Sequence, residues 1–321
     1  MSSACPVCQS SRSHLKFELP PDRVVQCEDC GMVFADATRF AGSGRRAQRN
    51  LYNQDYYNSA YASRGYLDYP AEFSSHRATF AARLCETERR IGRKGRLLDI
   101  GCAFGHLAKT ATDLGWDVFG TDISGHALRH ARVDHGARVF LSDLRHLPVK
   151  NGLFDVITLY DVIEHFSEPG ELLAGVLPLL RPDGLLHLTT PDVASLSARL
   201  MGRRWYHYKS PEHLVYFSPA TLTRALRTAG FDVVGLDRAP SRMSVISILR
   251  RMRRYSRFAA TSAIRIARVL GCSERILTLH IGEFQAWARP RSRELLETPS
   301  AGPRLPESRT RPAAARGATT R

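Results

Sequence analysis

The stretch at residues 98–105, which reads LDIGCAFG, decides the fold of this 321-residue chain. The apolar run Arg96–Ile100 has the length of a buried strand, and an amphipathic helix is predicted directly after Gly105. Glycines at 101 and 105 let the backbone approach a ligand closely, and a helix N-terminus offers free amide groups and the positive end of the helix dipole. The stretch therefore predicts a strand, a loop and a helix that together bind a nucleotide-like ligand.

Downstream, short apolar runs alternate with amphipathic segments. Alternating strands and helices indicate parallel strands in a doubly wound α/β sheet, with a ligand at the carboxyl ends of the strands. The predicted strands are 96–100, 117–121, 138–141, 155–160, 185–189, 231–236 and 282–288, and the predicted helices are 77–90, 105–114, 124–134, 169–180 and 218–229.

Acidic residues follow successive strands. Asp122 ends the second strand, where a carboxylate can accept both hydroxyls of a ribose, and Asp143 follows the third strand, where it could meet an adenine amino group. The fourth strand runs into DVIEH at residues 161–165, and LLRPDG at 179–184 precedes the fifth.

This ordered set resembles the class I S-adenosylmethionine-dependent methyltransferases, in particular the bacterial small-molecule branch that includes ubiquinone-biosynthesis methyltransferases. The resemblance covers residues 96–240 and implies a Rossmann-like sheet of seven strands with S-adenosylmethionine as cofactor. Ala103 stands where the family usually has glycine.

The resemblance also implies which residues hold the cofactor. In isolation each of the acids could equally be a helix cap. By this resemblance, Asp99 and Gly101 hold the methionine end of the cofactor, and Gly105 lets the loop pack on the helix. Asp122 binds the ribose and Ile123 packs on the adenine, whose edge is read by Asp143 and Leu144. Asp161 lies near the methyl-transfer channel.

Methyl transfer from a sulfonium is an in-line displacement that needs alignment and, for a protonated acceptor, a base. The candidates are His165, just beyond a strand end, and His213, in a segment that resembles the His-rich loop of this branch. A structural hydrogen-bonding role is the alternative for each. The loop at 191–217 is long for a connection and is expected to lie over the methyl group of the cofactor.

Four cysteines near the start form two C-x2-C pairs: Cys5, Cys8, Cys27 and Cys30. This spacing is typical of a zinc ribbon, in which two turns direct four thiolates at one structural ion. Short strands are predicted at 14–17 and 24–26. The alternative is four unrelated buried cysteines.

Residues 41–92 form a tyrosine-rich linker followed by a helical cap. Its tyrosines could line a substrate cavity, since each ring offers apolar area and one hydrogen-bonding tip, or could simply pack between domains. They are Tyr52, Tyr56, Tyr57, Tyr61, Tyr66 and Tyr69.

The formal net charge of +15 is concentrated near the C-terminal end. Residues 242–269 hold eight arginines and no acid, and residues 289–321 hold eight arginines against three glutamates, so the two segments supply 13 of the 15 charges. The periodicity of 242–270 predicts one basic amphipathic helix, within a helical insertion at 241–276 of a methyltransferase domain at 93–290. This helix could dock on an anionic membrane or hold an acidic substrate, or pack with its arginines in solvent. The tail at 291–321 is predicted to be disordered.

Composition is that of a globular protein, with 43% hydrophobic and 24% charged residues. The chain shows neither a membrane-spanning run nor a secretory signal, so a cytoplasmic location is expected, with a peripheral membrane position as the variant. Three functions stay open: methylation of oxygen or carbon of a small molecule such as a sugar, a lipid-linked saccharide or a secondary metabolite; methylation of ribosomal RNA by a zinc-module enzyme, less favoured because the zinc segment is not basic; and non-catalytic binding by a degenerate methyltransferase core.

Overall fold

The computed structural model of the chain describes residues 4–20, 22–36, 52, 54–57, 69–142, 149–253 and 256–291. Strands in these ranges form a four-stranded, a seven-stranded and a two-stranded sheet. In chain order they are β1 (Ser13–Leu19), β2 (Asp22–Cys27), β3 (Val33–Ala35), β4 (Arg96–Ile100), β5 (Asp117–Asp122), β6 (Val139–Leu141), β7 (Phe154–Tyr160), β8 (Leu180–Pro191), β9 (Val215–Tyr216), β10 (Phe231–Arg238), β11 (Ser241–Ser244), β12 (Ile276–Leu279) and β13 (Glu283–Pro290).

The helices are placed by capping residues as well as by apolar spacing. The side chain of Ser124 accepts a hydrogen bond from the Ala127 amide, and Ser218 and Thr221 form a reciprocal capping box. A one-turn helix covers Gln54–Tyr57. The longer helices are α1 (Phe73–Ile91), α2 (His106–Asp113), α3 (Gly125–His135), α4 (Pro169–Val176), α5 (Leu196–Met201), α6 (Pro219–Thr228), α7 (Val245–Met252) and α8 (Arg257–Val269).

The seven-stranded sheet confirms the predicted doubly wound α/β fold. Its strand order is β10-β13-β8-β7-β4-β5-β6, with β13 antiparallel to both of its neighbours and the β4, β5, β6, β7 and β8 ladders parallel. All seven residues of β7 are buried, as expected for a parallel strand covered on both faces. Because β5 and β7 flank β4 on opposite sides, the chain reverses direction across the sheet at β4, where ligands bind in such folds.

The N-terminal sheet contains more than the two predicted strands. Its order is β1-β2-β3-β9, all antiparallel, and β9 comes from the segment between α5 and α6. The region at 191–217, predicted as one long loop, therefore contains α5 and β9. No local pattern indicates β9, because a two-residue strand has no periodicity of its own.

The single basic helix predicted over 242–270 is wrong. Residues 241–244 form β11, which pairs with β12, and two helices follow: α7 begins after the Ser244 cap and α8 after the Ser256 cap. Each serine accepts a bond from the backbone amide three residues ahead, and this capping divides a continuous apolar stripe into two helices. The insertion rests on α1, where the Ser244 amide donates to Ser75 Oγ over 3.0 Å.

Some predictions concern residues outside the described ranges. These are the adenine-reading positions Asp143 and Leu144, the tyrosines Tyr61 and Tyr66, most of the linker at 41–68, and the tail from residue 292 onward. None of the described helices is both long and apolar enough to cross a membrane.

Candidate active site

The four N-terminal cysteines lie together, as predicted. Their Sγ atoms are within 4.8 Å of one another, with 3.5 Å between Cys5 and Cys30 and 3.5 Å between Cys8 and Cys27, and all four are free thiols. A tetrahedral zinc ion with Zn–S bonds of about 2.3 Å needs sulfur atoms about 3.8 Å apart. The set fits a structural zinc ion, and its four protein ligands leave no open position.

The glycine-rich loop after β4 has the backbone that its sequence predicts. Gly101 has φ +75°, and a Cβ there would lie 2.5 Å from Cγ2 of Val162. Gly105 has φ +77°, and a Cβ there would lie 3.0 Å from Cβ of Ala131, so the loop can pack this closely on α3 only with glycine. Ala103 also has a positive φ, of 45°, which explains why glycine is usual at this position.

Asp122 closes this loop from the end of β5. One carboxylate oxygen accepts from the Ala103 amide over 2.9 Å and the other from the Ser124 amide over 2.8 Å. Burial raises the pKa of Asp122, and these amide bonds oppose that rise. The half-buried Ile123 follows directly. The carboxylate is thus held rigidly beside the glycine loop at the carboxyl edge of the sheet.

Asp99 lies in the same edge and is 4% exposed. Its Oδ1 accepts a bond from the Thr158 hydroxyl over 2.9 Å. Burial raises the pKa of Asp99 from 3.8 to about 7, and the nearby Asp122 carboxylate adds to the rise. A cationic group bound between these two acids would be strongly attracted.

Asp161 ends β7 in the left-handed region, with φ 55°. Its Oδ1 accepts from the Thr189 hydroxyl over 3.0 Å, and its amide donates to the Thr189 carbonyl over 3.0 Å. These bonds to β8 turn the chain sharply and direct residues 162–165 across the carboxyl edge of the sheet.

The two candidate bases meet beyond that turn. The rings of His165 and His213 are 4.8 Å apart and edge to face, and Glu164 lies close enough that one ligand atom from each of the three falls within 4.8 Å of the others. Among the described residues these three form the second group that could hold a metal ion. The contact between the two histidine rings brings the segments at 161–165 and 205–217 together.

The protonation of this cluster follows from its burial. Burial lowers the pKa of His165 from 6.5 to about 4. Burial also holds the pKa of His213 well below 6.5, and the nearby His165 and Lys209 lower it further. Burial also holds the pKa of Glu164 well above 4.5, with Asp161 next in effect. At neutral pH the two histidines are therefore uncharged, and burial favours the protonated form of Glu164.

Two polar atoms of the cluster are buried without a hydrogen-bond partner in the described structure: Glu164 Oε1 and His213 Nδ1. The other Glu164 oxygen accepts from the Thr190 hydroxyl over 3.0 Å. Nδ1 of His165 lies 2.8 Å from the Glu212 carbonyl, which can only accept, so Nδ1 carries the proton of the neutral ring and Nε2 is left able to accept one. Unsatisfied buried polar atoms are costly, so a ligand is expected to complete them.

Tyr52 links the two halves of the site. Its carbonyl accepts from Ser124 Oγ over 2.8 Å, and its hydroxyl lies 3.0 Å from Nδ1 of His165. Burial, followed by the charges of Glu212, Asp122 and Glu164, raises the pKa of Tyr52. Tyr57 packs nearby on Phe104 with 4.9 Å between ring centroids. Sequence patterns marked the tyrosines as cavity-lining candidates but could not identify Tyr52 as the one that reaches His165.

Known proteins resemble the chain over the same region. A family model described as a methyltransferase domain matches residues 73–236, just over half of the chain. The chain is a class I S-adenosylmethionine-dependent methyltransferase. This methyltransferase is 31% identical over 170 residues to the ubiquinone biosynthesis O-methyltransferase of Xanthomonas euvesicatoria, a match that covers 46% of this chain and 68% of the relative.

A second relative, the ubiquinone biosynthesis O-methyltransferase of Roseobacter denitrificans, is 32% identical over 150 residues, 43% of this chain and 60% of the relative. A solved S-adenosylmethionine-dependent methyltransferase of Thermotoga maritima superposes with a TM-score of 0.47 at 18% identity, covering 70% of this methyltransferase and 95% of that chain. The family model and the curated relatives show that the chain catalyses S-adenosylmethionine-dependent methyl transfer to an acceptor.

Proposed function

We propose that this methyltransferase methylates an oxygen, or an acidic carbon, of a small-molecule acceptor bound between Glu164 and His213. The observation that carries the proposal is the pair of buried, unsatisfied atoms Glu164 Oε1 and His213 Nδ1. One is a proton donor when Glu164 is protonated and the other is a proton acceptor, and an acceptor hydroxyl can satisfy both. A sugar, a lipid-linked saccharide or a hydroxylated secondary metabolite supplies such a group.

The cofactor is expected to lie along the carboxyl edge of β4, β5 and β7. S-adenosylmethionine, when bound, supplies a methyl group on a positively charged sulfur. Asp99 and Gly101 hold its methionine end, with Gly105 letting the loop pack closely. Asp122 binds the ribose, and Ile123 packs on the adenine, whose edge Asp143 and Leu144 read.

The remaining residues align the acceptor and remove its proton. Asp161 lies beside the methyl-transfer channel. Glu164 donates a hydrogen bond to the acceptor oxygen, and Nδ1 of His213 takes the acceptor proton, while S-adenosylmethionine would supply the methyl group and leave as S-adenosylhomocysteine. His165 positions the His213 ring at 4.8 Å. The neutral state of both histidines at physiological pH keeps the base available.

The charges of the zinc-binding sheet favour a small-molecule acceptor over RNA. The arginines of the zinc-binding sheet are paired with acids, since Arg12 contacts Asp29 and Arg23 lies 3.3 Å from Glu18. Such paired charges are a poor phosphate-binding surface.

The insertion at 241–276 supports docking of this methyltransferase on an anionic membrane. Four apolar side chains stand out from α8 and its end with more than half of their surface exposed: Phe258, Ile266, Val269 and Leu270. Exposed arginines at 253, 257, 265 and 268 surround them. A basic, apolar surface of this kind favours anionic lipid, and it fits a lipid-linked acceptor.

Calorimetry with S-adenosylhomocysteine tests the cofactor assignment. The wild-type chain should bind this product, and Asp122→Ala should weaken binding by about 100-fold, since it removes charge-assisted hydrogen bonds of roughly 1.5–3 kcal/mol. Asp117→Ala, at the half-buried start of the same strand, is the matched control and should bind normally. Full affinity in Asp122→Ala would remove Asp122 from the site, and a folded wild type that does not bind would contradict the proposal.

A further inference from the structure

The N-terminal sheet and the proposed acceptor site share one segment of chain. This acceptor segment, residues 205–217, supplies β9, in which Tyr216 pairs with Val33 and Val215 with Phe34 of β3. The Ala35 amide extends the ladder by donating to the Leu214 carbonyl over 2.8 Å. The segment is therefore the fourth strand of the zinc-binding sheet.

Side chains seal the same junction. Val24 and Val33 of the sheet belong to one buried cluster with Trp205, Tyr208 and Tyr216 of the acceptor segment. The Phe17 and Tyr208 rings are 4.8 Å apart. Ser210 Oγ donates to the carboxylate of Asp22, which is 4% exposed. Because these buried side chains are closely packed, the acceptor segment is held in one position on the sheet.

The other side of the acceptor segment contacts Glu164 and His165 of the proposed site. The Leu214 amide donates to the Glu164 carbonyl over 2.8 Å, and the Glu212 carbonyl lies 2.8 Å from Nδ1 of His165. The Tyr216 hydroxyl donates to the His213 carbonyl over 3.0 Å. The backbone on each side of His213 is thus tied both to β3 and to the residues of the proposed site.

The four cysteines lie beside β3, the strand that pairs with β9. β3 begins at Val33, three residues after Cys30, and the Cys27 amide donates to the Met32 carbonyl over 2.8 Å. An ion bound by the four thiolates would hold the end of β2 and the turn into β3 in one position. Binding of an ion at such a site adds to the stability of the segment that supplies its ligands.

We infer that the zinc-binding sheet is a positioning element of the acceptor site: the cysteine cluster holds β3, β3 holds β9, and β9 sets His213 against His165 and Glu164. The inference rests on the proposed function for the role of His213. A separate binding module would carry its own closed core and leave the acceptor segment unchanged when the ion is removed. Here the two share a core, so removing the ion should loosen the acceptor segment and spare the cofactor site.

Hydrogen exchange on the full chain tests this coupling. Zinc is removed with a chelator, and amide exchange in residues 212–217 is compared with that in β4 and β5 of the same sample. The expected result is exchange at least about tenfold faster in 212–217, no change in β4 and β5, and S-adenosylhomocysteine affinity within about twofold of the zinc-loaded value. Trp205 fluorescence should shift to longer wavelength in parallel.

Two results would overturn the inference. One is unchanged protection of 212–217 in zinc-free protein. The other is parallel loss of protection in β4 and β5, because global unfolding would then be the effect. Since exchange needs no acceptor, a chain that fails to bind S-adenosylhomocysteine would defeat the proposed function while the exchange experiment still decides the coupling.

A variant that leaves the cysteines intact tests the junction directly. Ser210→Ala removes the bond to Asp22 and should speed exchange in 212–217 by about threefold with zinc retained, with acceptor KM raised and S-adenosylhomocysteine affinity unchanged. Arg12→Ala, which breaks the exposed contact to Asp29 on the same sheet, is the matched control and should change none of these. Equal exchange in the two variants would contradict the coupling through Ser210.

Discussion

Asp99 and Glu164 are both carboxyl groups whose pKa burial raises, yet they serve opposite ends of the proposed reaction. Asp99 faces the predicted methionine end of the cofactor, where a charged carboxylate is useful. In the proposed function Glu164 faces the acceptor, where a protonated carboxyl is useful. Burial and neighbouring charge, rather than residue type, therefore decide the role of each acid.

The raised pKa of Asp99, about 7, predicts a pH-dependent cofactor affinity. Above pH 7 the carboxylate is charged and attracts the ligand ammonium group, and below pH 7 it is neutral. Calorimetry should show S-adenosylhomocysteine affinity rising about tenfold from pH 6 to pH 8. Because the unfolded chain releases this proton near pH 3.8, the free energy of unfolding of the unliganded enzyme should fall as pH rises from about 4 to 7. Asp99→Asn should bind weakly at every pH, and a sloping profile in that variant would assign the titration to another group.

The raised pKa of Glu164, caused mainly by burial, predicts that its neutral isostere is tolerated. Glu164→Gln keeps a donor opposite His213, so kcat should stay within about tenfold of wild type, whereas Glu164→Ala leaves the acceptor unaligned and should lower kcat by about 100-fold or more. S-adenosylhomocysteine affinity serves as the folding control for both. A Glu164→Gln enzyme as impaired as Glu164→Ala would mean that the carboxylate acts in its charged form, for instance on a metal ion.

Individual elements differ in how fully their sequence predicts them. Strand β4 has the predicted bounds because four apolar or buried residues lie between charged or glycine neighbours. The insertion was predicted as one helix because its apolar stripe is continuous, and the local serine caps that divide it are a weaker signal than periodicity. β9 exists only through its pairing with β3, so no local pattern could indicate it. The same holds for the site: the glycine loop and Asp122 are local signals, whereas the contact of Tyr52 with His165 is purely tertiary.

Tyr52 precedes the one-turn helix at Gln54–Tyr57 and contacts both Ser124 and His165. Tyr52→Phe removes the hydroxyl 3.0 Å from His165 and should lower kcat about tenfold with cofactor affinity unchanged, since the Ser124 bond uses the Tyr52 carbonyl. Single-turnover rates with saturating cofactor provide the measurement. Tyr208→Phe, at the ring that packs on Phe17, is a control that keeps the site intact. A Tyr52→Phe enzyme with wild-type kcat would leave the tyrosine a packing role alone.

At the scale of the whole molecule, the +15 charge is unevenly distributed along the sequence, with 13 charges in residues 242–269 and 289–321. The residues proposed to bind cofactor and acceptor lie in the nearly neutral part of the sequence. The exposed arginines of α8 lie in the insertion, which contacts α1 through Ser75 and Ser244. Charge that is spatially separate from the chemistry can direct the enzyme to a surface without disturbing catalysis.

Vesicle sedimentation tests that separation. The chain should bind vesicles rich in anionic phospholipid and bind neutral vesicles weakly, with affinity falling as salt rises. Replacing Arg257, Arg265 and Arg268 by Gln should lower the partition coefficient by about 100-fold, at roughly 1 kcal/mol for each charge. The same change at the exposed Arg129, Arg224 and Arg227 removes equal charge from α3 and α6 and should have a much smaller effect. Equal losses in the two triple variants would show that net charge, and not this surface, directs binding.

The pairing of β3 with β9 also determines the order in which the chain can fold. Strands β1, β2 and β3 leave the ribosome before the methyltransferase sheet, but β9 is made only after five strands of that sheet, β4 to β8. Until then β3 has an unpaired edge and the apolar side chains of Val24 and Val33 lack their cover. Closing so distant a contact is slow, so the nascent chain spends this interval with an aggregation-prone edge exposed. Expression of residues 1–36 alone, or of the enzyme without them, should therefore give insoluble protein.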